Sequence, residues 1–271
     1  MLSKLIKYDI RSTWRDFAGV YMAILLGVII VPLLLNNVGN EFVSMFAGFI
    51  SMSIVIATIV IMIVNLFKIF NTNVFSKEGY LTMTLPVTPK QIVISKMLVS
   101  VMWIILTGIV SVIGIFIFAL IISPDSITMC YEGIQKLLPL LHGNGLLAFI
   151  MMILTMIVSS IKEIAKLFLA CSIAHLKQLN RFRIPIGIAS YFVFSWIETL
   201  ITQIAGVVAV FIPSLDHWFT QFAAMTEPSD FIQFSGLFSA VMGVGILYSL
   251  LLTTAFSAGT IWILNRKLDL D

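Results

Sequence analysis

Six runs of apolar residues constrain this chain more than any other feature: Phe17 to Leu35, Ser44 to Phe67, Met97 to Ile122, Leu146 to Ile161 or somewhat beyond, Pro185 to Ile212, and Gly236 to Leu264. Each is of the length that crosses ~30 Å of hydrocarbon as a helix. In that medium a spanning segment must satisfy its own backbone hydrogen bonds, so helices are the expected form. Only 11% of the residues are charged, against the ~25% usual in soluble domains. The fold class that follows is an all-α integral membrane protein with six transmembrane helices. Its longest polar interruption, residues 67–96, is too short to build a core of its own, so residues 1–271 are expected to form a single transmembrane domain.

Charge sets the expected orientation. Residues 1–16 hold four Lys and Arg, the segment after the second span four, Lys162 to Arg183 five and the C-terminus two, leaving Lys136 alone on the other side. The excess of cations on cytoplasmic loops predicts that both termini are cytoplasmic. A net charge of +3 spread over short loops gives no nucleic-acid-binding face, and a bilayer surface accounts for it better. Cys130 and Cys171 fall on opposite sides in this topology and are not expected to pair. The first run is longer than a signal-peptide core and no small-residue cleavage site follows, so the N-terminus is expected to be retained.

Within residues 1–16, Lys4, Lys7, Arg11 and Arg15 recur at spacings of three and four, with Leu2, Leu5, Ile6, Ile10 and Trp14 between them. This is the pattern of an N-terminal amphipathic helix lying in the headgroup layer. On the outer side, Pro124 and Asp125 open a short surface helix within Ser123 to Gly145. Residues 213–235 mix Trp218, Phe219, Phe222 and Phe231 with acids, which predicts a segment that dips into the membrane. The fourth span has two placements. Either it leaves the membrane near Lys162 and continues as a cytoplasmic stalk, or it stays inside to about Ala174 and carries Lys162, Glu163 and Lys166 into the bundle; the stalk or a mixed arrangement is the favoured reading.

Residues for catalysis are scarce. His142, His175 and His217 are scattered without acidic or thiol partners at ligand spacing, so no metal site is expected. There is no GxxxxGK[ST] phosphate loop, and the spans hold no Ser/Lys, Asp/Asp or His/Glu arrangement for intramembrane proteolysis. The expectation is a non-enzyme. Glu198 is the acid nearest the middle of a span, in SWIETLITQ, with Thr202 and Gln203 close by. A carboxyl at that depth marks a functional position by default. It is compatible with a hydrogen-bonded contact between helices, a substrate path that includes Thr202 and Gln203, or a proton-coupling site.

Residues 67–96 carry more information. Thr88-Pro89-Lys90-Gln91 has the form of a helix start, with Thr88 as N-cap, Pro89 in the first turn, Gln91 as the capping-box partner, and Val87 and Ile92 as a hydrophobic staple. Lys90 then sits where the helix dipole disfavours a cation, which suggests an external anion: lipid phosphate or an acidic partner surface. Upstream, Gly79 and Pro86 bracket an element presenting Tyr80, Leu81, Met83 and Leu85. These apolar groups either pack on the protein's own helices and lipid or dock against another surface.

The run Lys77-Glu78-Gly79-Tyr80-Leu81 through Thr84-Leu85-Pro86-Val87-Thr88, followed by Ile94-Ser95-Lys96 and a span with Trp103, resembles the membrane permease subunit of type-2 ATP-binding-cassette (ABC) exporters, in particular small six-span bacterial permeases. The motif likeness covers residues 68–103. The resemblance implies a multi-pass protein of the bacterial cytoplasmic membrane whose loop is received by a separate cytoplasmic ABC ATPase subunit. Glu78, Gly79, Tyr80, Leu81, Leu85, Pro86 and Lys90 would form the docking and coupling element. It further implies pairing with a second permease chain, contact with membrane lipids, no cofactor beyond ATP on the partner, and outward movement of a hydrophobic or amphipathic substrate such as an antimicrobial peptide, lipid or drug. Two rivals follow from the residues: a proton-coupled secondary transporter using Glu198, and a non-transporting membrane anchor or sensor.

Overall fold

The computed structural model describes residues 2–37, 41–75, 88–123, 125–138, 143–176, 183–212, 220 and 230–266. Among them are seven helices: α1 (Leu2–Asn37), α2 (Glu41–Phe75), α3 (Pro89–Ile122), α4 (Ser126–Leu137), α5 (Asn144–Ala174), α6 (Arg183–Val210) and α7 (Asp230–Arg266). All but α4 are long and apolar enough to cross a membrane. At 1.5 Å per residue the 36 residues of α1 reach about 54 Å, several turns more than a span needs. The chain divides into two compact units at residues 133/134, within α4.

In the first unit α1 packs against both α2 and α3. Its contacts with α3 advance in the same direction along both helices. Asp9 meets Ser95 and Lys96, Thr13 meets Trp103, and Tyr21 meets Thr107, so the two run parallel with α2 returning between them in sequence. Phe17, Leu66, Ile69, Val99 and Trp103 form the core of this unit, with the Phe17 and Trp103 rings stacked at 4.3 Å. The start of α3 follows its sequence signal. Thr88 is extended (φ −77°, ψ 147°), its N–H donates to Gln91 Oε1 at 3.3 Å, and Gln91 N–H donates to Thr88 O at 2.9 Å. At the far end Ser123 is extended, as a residue before proline prefers. The short helix expected there is α4, tied to α3 by Ser126 Oγ donating to Ala119 O at 2.8 Å.

Two charged stretches lie within longer helices. Residues 2–16 are not set off from the first span: α1 is unbroken from Leu2 to Asn37, and Asp9, Thr13 and Phe17 are buried on one face of it that continues through Val20 and Ile24. In the fourth span, Lys162, Glu163 and Lys166 lie inside one helix. α5 is continuous to Ala174, and its second half buries Ile164, Ala165, Lys166, Phe168, Leu169 and Ala170 among others.

The second unit has the same internal plan. α5 packs against both α6 and α7, with α7 alongside it in parallel: Gly236 lies near Asn144, Met242 near Thr155 and Gly259 near Leu169. Small residues set the closeness of these helices, as is usual between apolar helices. A Cβ added at Gly259 would stand 3.0 Å from Leu169 Cδ1, and one at Gly187 of α6 would stand 3.3 Å from the Ala174 methyl. Of residues 213–235, the start of α7 at Asp230 and Thr220 are described; the rest of the expected dipping segment lies outside the described residues.

Candidate functional site

Two polar assemblies stand out from the apolar background, one in each unit. In the second unit Glu198 sits about halfway along α6, and α5 supplies its partners. Lys162 Nζ donates to Glu198 Oε2 at 2.7 Å; Lys166 Nζ lies 3.4 Å from the same carboxylate. Glu163, one residue after Lys162, receives Lys166 at 2.8 Å and Lys162 at 3.3 Å, and the Tyr191 hydroxyl of α6 donates to Glu163 Oε2 at 3.0 Å. The Lys166 ammonium also stands 5.0 Å from the centre of the Tyr191 ring, a cation–π distance.

Helical geometry explains the assembly. Lys162 and Lys166 are four apart and share a face of α5, while Tyr191 and Glu198 are two turns apart on α6. Two cations and two carboxylates form a neutral cluster, so no net charge is left uncompensated in the low-dielectric surroundings. The cluster is graded in access: Lys166 is sealed, Glu198 nearly so, and Glu163 is open to the outside at 44% of its side chain. Among the described residues, Glu198 Oε1 has the long Lys166 contact but no hydrogen bond, and the buried Tyr248 hydroxyl of α7 has no hydrogen-bond partner. Chemically this is a set of exchangeable ion pairs with spare hydrogen-bonding capacity. Of the three sequence-selected polar residues, Glu198 enters it. Thr202 and Gln203 are at exposed positions, and the Thr202 hydroxyl donates to backbone carbonyls of its own helix.

The first unit holds the other assembly, at the end where α1 begins, α2 stops and α3 starts. Asp9 accepts from Lys96 and, through Oδ2, from Ser95 Oγ at 2.9 Å; Asp9 and Lys96 are both fully buried. One turn on, Trp103 Nε1 donates to Thr13 Oγ1 at 3.0 Å, and the hydroxyls of Tyr21 and Thr107 share a hydrogen bond of 3.1 Å. On the α2 side, Lys68 Nζ pairs with Asp16 Oδ2 at 2.7 Å. α1 is therefore clamped to both helices that flank residues 76–87. Lys90 is exposed in the first turn of α3. The other expected docking residues, Glu78, Gly79, Tyr80, Leu81, Leu85 and Pro86, lie outside the described residues.

No metal-binding cluster of His, Cys, Asp or Glu occurs among the described residues. No family model, curated protein or solved structure matches the chain.

Proposed function

We propose that this protein is the transmembrane permease subunit of an ATP-driven ABC exporter of the bacterial cytoplasmic membrane, with both termini and residues 76–87 on the cytoplasmic side. It pairs with a second permease chain to form an outward path for a hydrophobic or amphipathic substrate, and a separate ATPase subunit docks on the loop. The observation that carries this reading is the double clamp of α1. A push on residues 76–87 reaches α2 and α3, and Asp16–Lys68 and Asp9–Lys96 pass it to α1, so the three helices move as one body rather than bending separately. Fifteen of the sixteen Lys and Arg residues fall on the proposed cytoplasmic side, and the likeness of residues 68–103 to type-2 ABC permeases supports the identity of the partner.

The docking element is tested by changing Tyr80 and Leu81 to Glu and purifying the solubilised chain from its native membrane. The expected result is loss of a co-purifying ATPase with the six-span bundle still folded; undiminished ATPase binding would sink the assignment. A second reading, a proton-coupled transporter, is favoured by one feature, the ion-paired Glu198. It predicts transport that follows the proton gradient with no ATPase present.

A further inference from the structure

The first turns of α1 carry four cations, Lys4, Lys7, Arg11 and Arg15, and two acids, Asp9 and Asp16. Both acids are engaged by the neighbouring helices, Asp9 by Lys96 and Asp16 by Lys68. The cations lie on the opposite, exposed side of the helix, and no ion pair involves any of them among the described residues. Among the described residues, the outer face of α1 is thus positive without internal compensation. An open groove of about 460 Å3 runs along it, lined by Ser3, Ile6, Lys7, Ile10, Arg11 and Trp14. Ser3, Lys7, Arg11 and Trp14 follow one another at spacings of four, four and three, forming one polar stripe. Ile6 and Ile10 form its floor and pack against the unit's core on their inner side.

We infer that this groove is a binding site for the headgroup of an anionic phospholipid. Lys7 and Arg11 face the phosphate, the Ser3 hydroxyl supplies a further donor, Ile6 and Ile10 receive the first methylenes of the chains, and Trp14 takes the interfacial position that suits an amphipathic ring. Charge complementarity selects the anionic class, and the apolar floor selects a lipid over a free phosphate. The inference rests on the membrane reading of this end of the chain and is independent of the ATPase. Because the same helix clamps α2 and α3, a lipid held here anchors the body that carries residues 76–87.

The test titrates phosphatidylglycerol or phosphatidylcholine into the detergent-solubilised full chain and reads the first bound lipid by native mass spectrometry. Phosphatidylglycerol binds the unmodified chain more tightly than phosphatidylcholine. The double variant Lys7→Gln/Arg11→Gln weakens phosphatidylglycerol roughly 30-fold, two surface cations at about a factor of five each, and leaves phosphatidylcholine unchanged. Lys4→Gln/Arg15→Gln, outside the groove, changes it by less than about threefold, and inorganic phosphate at matched concentration does not compete. Equal weakening by the two double variants would reduce the effect to general surface charge and overturn the site, as would equal affinity for the two lipids or competition by inorganic phosphate. If the membrane reading itself were wrong, the chain would remain soluble without detergent, which separates that failure from failure of the site.

Discussion

Replacing Asp9 by Ala takes away the carboxylate that holds Lys96, a lysine whose side chain is 2% exposed. That carboxylate is a counter-charge held in a fully buried site, where Ser95 Oγ also donates to it. Removing one partner of a fully buried pair costs about 3–5 kcal/mol. The comparison pair is Lys68 with Asp16, at 55% and 37% exposure, where solvent screens both charges and Asp16→Ala costs about 0–1 kcal/mol. Equilibrium unfolding in mixed micelles reads both variants on one scale. The structure adds a further requirement: Asp9→Ala/Lys96→Met removes both charges and recovers most of the lost stability, since an apolar pair of similar size in a buried site is close to neutral. Equal effects of Asp9→Ala and Asp16→Ala, or additive loss in the double variant, would refute the argument that a buried ion pair ties α1 to α3.

Other outcomes follow from the second unit. Glu198→Gln keeps the shape of the side chain but leaves Lys162 and Lys166 sharing Glu163 alone; it destabilises by roughly 1–3 kcal/mol and reduces transport, with Lys162→Met restoring stability when combined. Unchanged stability and transport in Glu198→Gln would remove the cluster from the account. Gly259→Ala forces Leu169 aside, because the new methyl stands 3.0 Å from Leu169 Cδ1, and costs about 1–3 kcal/mol; Gly243→Ala, with open space at its Cβ position, is the tolerated control in the same unfolding measurement.

The long apolar runs made the six spanning helices legible, and the Thr88 to Gln91 cap placed the start of α3 to the residue. Two buried ion-pair assemblies were not legible for one physical reason. Asp9 and the charges of Lys162 to Lys166 looked like places where the chain meets water, because a charge next to an apolar run is usually solvated. Here their partners are distant in sequence: Lys96 for Asp9, and Glu198 for Lys162. Local periodicity carries no information about such pairs. A signal was present for the second: two lysines four apart on one helix face and a single acid in the middle of the next span are complementary, and neither half is stable in the membrane alone. Nothing local marked Asp9, since the same helix face holds Thr13 and Phe17 and reads as ordinarily amphipathic.

The central claim is that ATP hydrolysis on a partner drives movement through this chain. The direct measurement is transport in sealed vesicles containing the chain with its co-purifying ATPase, with ATP supplied on the side that exposes residues 76–87 and the proton gradient collapsed. The account predicts ATP-dependent transport that is lost when Tyr80 and Leu81 are changed to Glu. Transport that persists without ATP or ATPase and follows an imposed proton gradient would contradict it.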